Sequence, residues 1–148
     1  DLLILDEPTT GLDPQSRNTL WDRLLDLKRQ GLTILLTTHA MEEAERFCDR
    51  LCIIDHGRVV AEGDPAGLMA AHVGHYVLEI EAPDTAVPAY LAEHGLRFDR
   101  SGRRLLVYGD DRGELLALRD RYCPDCGNFR ASTLEDVFLR LTGRELRE

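Results

Sequence analysis

The sequence predicts an α/β fold in two parts: alternating strands and helices over residues 1–74, and a smaller α+β unit over residues 75–148. An apolar run at residues 2–5 that ends in carboxylates is typical of a buried strand. Leucine and tryptophan residues at helical spacing separate it from a second apolar run, Thr33–Thr37. After Gly74 the predicted order becomes strand–helix–strand repeated twice, which indicates a second folding unit.

The first part is predicted to contain two neighbouring parallel strands. A helix begins after Asp13, whose carboxylate suits an N-cap, with Pro14 at its first position and Gly31 just beyond its end. Because a strand–helix–strand unit of this length joins parallel strands, we expect the two strands to be adjacent and buried on both faces. The predicted elements are a strand at 1–6, a helix at 14–29, a strand at 33–37, a helix at 40–47, a hairpin of strands 50–55 and 58–62 that turns at His56-Gly57, and a helix at 65–72.

The second part is predicted to be a ferredoxin-like βαββαβ unit followed by one further helix. Ser132 and Glu135 have the spacing of a capping box for that last helix. The predicted elements are a strand at 76–81, a helix at 85–94, a strand at 96–100, a turn at Ser101-Gly102, a strand at 104–108, a helix at 112–122, a strand at 128–131 and a helix at 134–144.

Composition excludes several classes of protein. The 148 residues carry 27 acidic and 18 basic side chains, a net charge of −9, which argues against a protein whose main task is to grip phosphate backbones. With 43% hydrophobic residues the chain is not a disordered one. The longest apolar run has four residues, whereas a membrane span needs about 20. The chain has no starting Met and begins within a predicted strand, so we expect it to be a C-terminal piece of a longer protein.

Two acidic residues, Asp6 and Glu7, follow the first strand directly, at the sheet edge where ligands of open α/β sheets bind. Pro8 is expected to hold Glu7 in an extended conformation. His39 follows the second strand, so parallel pairing would bring it to the same edge, where its imidazole could donate a hydrogen bond to a phosphate oxygen. Each of these features alone is more often a solvated strand end.

In combination these motifs resemble the second half of an ATP-binding cassette (ABC) transporter ATPase. LLILDE, residues 2–7, resembles the Walker B strand and catalytic glutamate, and LLTTH, ending at His39, resembles the switch-histidine segment. The resemblance implies that Asp6 holds Mg²⁺ through water, that Glu7 polarises the attacking water, and that His39 contacts the γ-phosphate of ATP. Such roles suit phosphoryl transfer, in which catalysis is mainly positioning and charge stabilisation. The D-loop, which communicates across a head-to-tail ATPase dimer, is represented by Gly11, Leu12 and Asp13.

The implied fold is the C-terminal part of a P-loop (RecA-like) ABC ATPase domain with parallel strands and a terminal hairpin. A Gly-Lys-Ser/Thr phosphate loop and an LSGGQ-type signature are missing, and the only lysine, Lys28, has the wrong context for a phosphate loop. Both motifs would lie upstream of Asp1. We therefore expect the 148 residues alone to bind ATP poorly and to be inactive, because the amides and lysine that hold the phosphates are absent.

The second part resembles the C-terminal extension of drug-resistance and nodulation-factor exporter ATPases, most clearly in the tail at residues 133–148. The resemblance implies an ATP-hydrolysing subunit of a bacterial exporter. Its partners would be a second ATPase subunit in a homodimer and integral-membrane permease subunits, with no nucleic acid and no direct insertion into the membrane. The implied location is cytoplasmic, peripheral on the inner face of the cell membrane.

Two other functions remain open. One is a non-transport ABC-type ATPase of DNA repair or of the ribosome, which the missing heptad repeats and the charge of −9 disfavour. The other is a ligand-sensing regulatory role for residues 75–148.

Cys123 and Cys126 have the spacing of a redox dithiol or half a zinc knuckle, but a second such pair is missing. We expect neither a structural zinc nor an essential disulfide.

Overall fold

The computed structural model describes residues 1–81, 83–125 and 127–143. Strands and helices alternate along this part of the chain much as the sequence predicts. Its elements are β1 (Leu2–Asp6), α1 (Pro14–Arg29), β2 (Thr33–Thr37), α2 (Met41–Phe47), β3 (Leu51–Asp55), β4 (Arg58–Gly63), α3 (Pro65–His72), β5 (Tyr76–Glu81), α4 (Ala86–Glu93), β6 (Arg97–Ser101), β7 (Arg104–Gly109), α5 (Arg112–Tyr122), β8 (Gly127–Ala131) and α6 (Leu134–Thr142).

The predicted bounds agree with the observed ones to within one residue, except at the end of α6. Gly143 takes a left-handed conformation, φ +67°, and its N–H bonds to the carbonyl of Leu139, which ends the helix two residues before the predicted limit. That limit, Arg144, lies outside the described residues. The hairpin turn is also displaced by one residue: Ser101 pairs with Arg104, so the turn consists of Gly102 and Arg103.

Two compact units make up the fold, Asp1–Phe47 and Cys48–Glu148. This division falls earlier than the boundary at residues 74 and 75 drawn from the sequence. It places the hairpin and α3 in the same unit as the C-terminal elements, where α3 packs against α6. A domain boundary at residue 74 stays a prediction.

The first unit contains a two-stranded parallel sheet, in which β1 pairs with β2 from Leu2 opposite Thr33 to Asp6 opposite Thr37. The predicted adjacency of the two strands is confirmed. Helix α1 joins them, and Asp13 caps its first turn by accepting from the N–H groups of Gln15 and Ser16. The joining helix thus returns the chain in the direction that brings the ends of β1 and β2 to one edge.

The expectation that these strands are buried on both faces is wrong for one face. Leu2, Ile4 and Leu35 point to the same side and are 58, 67 and 58% exposed. The residues between them, such as Leu3 and Leu36, are half-buried. One side of this two-stranded sheet therefore presents apolar side chains to solvent, and the other side is partly covered.

The second unit holds a four-stranded antiparallel sheet of order β6–β7–β5–β8 and the separate hairpin β3–β4. The hairpin turns at His56 and Gly57, both with positive φ, as in the two-residue turns that match strand twist. One face of the larger sheet packs against α4 and α5. The buried side chains of this core are Leu78, Ile80, Val87, Leu91, Leu105, Val107, Leu115, Leu118 and Cys123.

On its other face the sheet carries a charged cluster that fixes α6. Arg130 on β8 donates from Nε to Glu79 on β5 at 2.7 Å and from Nη1 and Nη2 to the two carboxylate oxygens of Asp136 on α6 at 2.7 and 2.8 Å. Only 4% of the Asp136 side chain is exposed. These ionic hydrogen bonds raise the pKa of the Arg130 guanidinium further above its usual range. The guanidinium therefore joins two strands and a helix through one planar group.

The cap of α6 lies one residue later than predicted. Asp136, not Glu135, accepts from the N–H of Thr133, at 2.8 Å, so Thr133 is the N-cap. The two overlapping sequences, Ser-x-x-Glu and Thr-x-x-Asp, have the same spacing and differ only in tertiary context. Ser132 is used elsewhere, because its hydroxyl donates to the carbonyl of Gly74.

Gly74 occupies a position that other residues should not tolerate. Its φ is +74°, and a Cβ atom there would lie 2.7 Å from Oδ1 of Asp110 and 3.0 Å from the carbonyl oxygen of Gly109. Gly74→Ala should lower the free energy of unfolding by roughly 2 kcal/mol or more, since overlap adds to the cost of a left-handed alanine. Gly102→Ala is the matched control, since Gly102 also has positive φ but open space around it, and should lose about 1 kcal/mol. Urea unfolding measures both, and equal losses would contradict the packing argument.

Candidate active site

The carboxyl ends of β1 and β2 bring Glu7 and His39 together. Nδ1 of His39 lies 3.0 Å from Oε2 of Glu7, and the two side chains are 58 and 45% exposed. The pair spans 32 residues of sequence, and its proximity follows from the parallel register that sets Asp6 beside Thr37. A ligand on the solvent side of this edge can therefore reach both side chains.

Glu7 is not in the extended conformation that Pro8 was expected to impose. Its φ is +43°, in the left-handed region that non-glycine residues seldom adopt. The N–H of Glu7 donates to the carbonyl of Thr37 at 3.0 Å, and its carbonyl accepts from Thr10 N at 3.1 Å. Pairing with β2 on one side and a tight turn on the other thus override the local preference before proline. Such conformations cost about 1–3 kcal/mol and tend to occur at functional sites.

The carboxylate of Glu7 has two hydrogen-bond partners on one oxygen. Oε2 accepts from the hydroxyl of Thr10 at 3.0 Å and faces the His39 ring. The sequence motif contains Thr10, but its spacing does not indicate this contact. The turn over residues 7–10 brings the Thr10 hydroxyl to the Glu7 carboxylate.

Asp6 ends β1 with an exposed carboxylate. The hydroxyl of the facing Thr37 donates to its Oδ1. Carboxylate oxygen is the ligand type that Mg²⁺ prefers, and Mg²⁺ sites at phosphates use one or two carboxylates together with phosphate oxygens and water. The Asp6 carboxylate is therefore chemically suited to holding Mg²⁺. Its contact with the Thr37 hydroxyl was not indicated by the sequence.

The predicted D-loop residues Gly11, Leu12 and Asp13 lie in the loop before α1. Gly11 has φ +78° with open space around it, and Leu12 donates from its N–H to the carbonyl of Thr9 at 3.1 Å. Asp13 accepts from Ser16 Oγ and from two backbone amides, and these hydrogen bonds hold the pKa of its carboxyl below its usual value. The Asp13 carboxylate thus stabilises the start of α1 and the end of the loop.

A buried contact holds the middle of this loop. The hydroxyl of Thr9, 5% exposed, donates to Oε2 of Glu43 on α2 at 2.7 Å. The other oxygen of Glu43 lies 3.5 Å from Nε of Arg17 on α1. The loop, α1 and α2 are therefore connected through one buried carboxylate, a contact that the sequence did not indicate.

The described residues contain no group of three or more His, Cys, Asp or Glu side chains placed to hold a metal ion. Cys126 lies outside the described residues, so the predictions for the Cys123 and Cys126 pair stay predictions. The described residues also contain no helix of the length and apolar character needed to cross a membrane.

Comparison with known families gives a match in the C-terminal part of the chain. Residues 84–143 match the family described as the C-terminal domain of the nodulation factor export protein NodI. This range begins just before α4 and ends at the cap of α6. The resemblance drawn from the tail of the sequence is confirmed.

Whole-chain relatives are ATP-binding proteins of export systems. The chain is 50% identical to the Nod factor export ATP-binding protein I of Paraburkholderia xenovorans, over 100% of this chain and 49% of that protein. Identity to the protein of the same name in Mesorhizobium japonicum is 45%, over 99% of this chain and 44% of that one. The chain thus spans about half the length of these relatives.

A solved structure described as the ATP-binding subunit of an ABC transporter is 41% identical, covering 47% of this chain and 29% of its own. Its TM-score is 0.44, too low to define the fold.

Proposed function

We propose that this chain forms the hydrolytic part of an ATP-binding subunit of a bacterial ABC exporter. Its whole length is homologous to a segment that makes up about half the length of each Nod factor export ATP-binding protein I. The observation that carries the proposal is the Glu7–His39 pair at the end of two parallel strands, in a chain 50% identical to ATP-binding export proteins. Export of Nod factor, the substrate for which the relatives are named, is the specific form of the proposal.

Each site residue has a distinct proposed task. Asp6 would hold Mg²⁺ through water, and the ion would supply positive charge to balance the charge that develops on the phosphates. Glu7 orients the attacking water and accepts its proton, which requires an exposed carboxylate of fixed direction. His39 donates to a phosphate oxygen. Because Nδ1 faces Glu7, Nε2 is the ring nitrogen left to make this donation.

The finer fold description belongs to the same proposal. Residues 1–74 are the C-terminal portion of a P-loop (RecA-like) ATPase domain, and the parallel pairing of β1 and β2 supports this. Residues 75–148 are a ferredoxin-like unit with one further helix. The sheet order β6–β7–β5–β8 supports this, because it is the order that results when the strands of two βαβ halves interleave.

The partners follow from the family role of such subunits. A second copy of the subunit binds across Gly11, Leu12 and Asp13 in a homodimer, and integral-membrane permease subunits carry the substrate path. The subunit is then cytoplasmic and peripheral on the inner face of the cell membrane, without inserting into it or binding nucleic acid. The net charge of −9 supports the last point.

Substitution of His39 tests the proposal in a protein extended to the full length of the relatives. His39→Ala should lower MgATP hydrolysis by about 10²-fold, because a donor to the transferring phosphate is lost. His56→Ala, at the hairpin turn of the other unit, is the control and should hydrolyse ATP at the wild-type rate. Equal turnover in both variants would contradict the proposed site.

A further test separates transport from the other classes of ATPase. Turnover should rise when the permease subunits are present in vesicles. Stimulation by DNA or ribosomes instead would favour the alternative functions.

A further inference from the structure

We infer that Thr37 is a positioning residue that sets the direction of both acidic side chains of the site through a single hydroxyl group. The inference rests on the proposed function and adds a residue to it. Thr37 is the last residue of β2, directly opposite Asp6 in the parallel register. No feature of its position in the sequence distinguishes it from an ordinary strand threonine.

The Thr37 hydroxyl makes two contacts of opposite kind. It donates its proton to Oδ1 of Asp6, and its oxygen accepts from the backbone N–H of Glu7 at 3.2 Å. A threonine hydroxyl has one donor and two acceptor positions, so both contacts can exist at once. The group therefore connects the side chain of one acidic residue with the backbone of the next.

The contact to Asp6 restricts a carboxylate that is otherwise exposed. A hydrogen bond to a carboxylate is roughly twice as strong as one between neutral groups. With Oδ1 accepting from Thr37, the direction of Oδ2 is also determined. Mg²⁺ demands near-ideal octahedral geometry, so the affinity of the site for the ion should depend on this restriction.

The contact to Glu7 acts on its backbone. Glu7 has φ +43°, a conformation that persists only where its surroundings hold it. Its N–H is shared between the carbonyl and the hydroxyl of Thr37, at 3.0 and 3.2 Å. The hydroxyl thus helps to hold the backbone conformation that places the Glu7 carboxylate beside His39.

Thr37→Val tests the inference in the full-length protein, since valine keeps the shape and strand preference of threonine and removes the hydroxyl. We expect kcat for ATP hydrolysis to fall about tenfold, the scale of one lost hydrogen bond to a charged group. The affinity for Mn²⁺, a paramagnetic probe of the magnesium site measured by electron paramagnetic resonance with ATP present, should weaken severalfold. ATP affinity measured in EDTA should not change.

Two further variants separate positioning from general damage to the strand. Thr37→Ser keeps the hydroxyl and should restore kcat and Mn²⁺ affinity to within about twofold of wild type. Thr33→Val makes the same change on the same face of β2 at its opposite end, and should leave both quantities unchanged. Thermal unfolding of all three variants verifies that they are folded.

The possible results distinguish this inference from the proposed function. If Glu7→Gln removes turnover while Thr37→Val retains wild-type kcat and Mn²⁺ affinity, the positioning role is wrong and the proposed function stands. If Glu7→Gln itself retains full turnover, the proposed function fails, and this inference fails with it. Loss of kcat and Mn²⁺ affinity in Thr37→Val with recovery in Thr37→Ser supports both.

Discussion

Glu7→Gln in the full-length protein should lower ATP hydrolysis by about 10²-fold or more while leaving ATP binding intact. Glutamine has the shape of glutamate and can still form hydrogen bonds with Thr10 and His39, whose contacts to Glu7 are both 3.0 Å in length. It lacks the negative charge that, in the proposed role of Glu7, orients the attacking water and receives its proton. A loss of this size is typical of a missing general base.

Bound but unhydrolysed ATP should also hold two subunits together, so the variant should accumulate as an ATP-dependent dimer. Phosphate release measures turnover, and size-exclusion chromatography with and without ATP measures assembly. Glu42→Gln, on the exposed side of α2, makes the same chemical change away from the strand ends and should behave as wild type. Wild-type hydrolysis by Glu7→Gln would mean that Glu7 is a solvated strand end.

Arg130→Met should lower the free energy of unfolding of the second unit by about 3 kcal/mol. The substitution keeps much of the side-chain volume but leaves Glu79 and Asp136, 17 and 4% exposed, without their cationic partner. Removing one partner of a buried ionic cluster typically costs 3–5 kcal/mol, because the remaining charge is left desolvated. The partial exposure of Arg130, 29%, places our expectation at the lower end of that range.

Arg50→Met provides the comparison, since Arg50 pairs with Glu62 at a similar distance but both side chains are more than half exposed. A change below about 0.5 kcal/mol is expected there. Urea unfolding followed by circular dichroism measures both variants. If Arg130→Met loses no more than Arg50→Met, the cluster does not stabilise α6 in the manner described.

Local sequence patterns were sufficient to predict most element bounds and one feature of the site. Asp13 and Asp64 cap helices by accepting hydrogen bonds from backbone N–H groups two or three positions further along the chain. Contacts this local can be predicted from residue spacing alone. The proximity of Glu7 and His39 was also predictable, because it needs only the rule that strands joined by a crossover helix run parallel.

Features that depend on distant residues were not predictable in this way. The left-handed backbone of Glu7 arises from hydrogen bonds to Thr37, 30 residues further along, which outweigh the local effect of Pro8. The sequence predicted the cap at Ser132 instead of Thr133. It could not show that the Ser132 hydroxyl donates to the carbonyl of Gly74 instead. Local periodicity also cannot indicate that Leu2, Ile4 and Leu35, on one side of β1 and β2, are exposed.

The arrangement of Arg130 bears on how the C-terminal unit can be inherited or grafted as a module. Arg130 and Glu79 are 51 positions apart in the sequence, yet each has its charge compensated by the other. A recombination crossover between β5 and β8 that brought in a segment from a protein lacking these charges would separate the partners and leave one of them uncompensated. Viable exchanges between related proteins should therefore have their endpoints before β5 and after α6, so that the whole segment moves together.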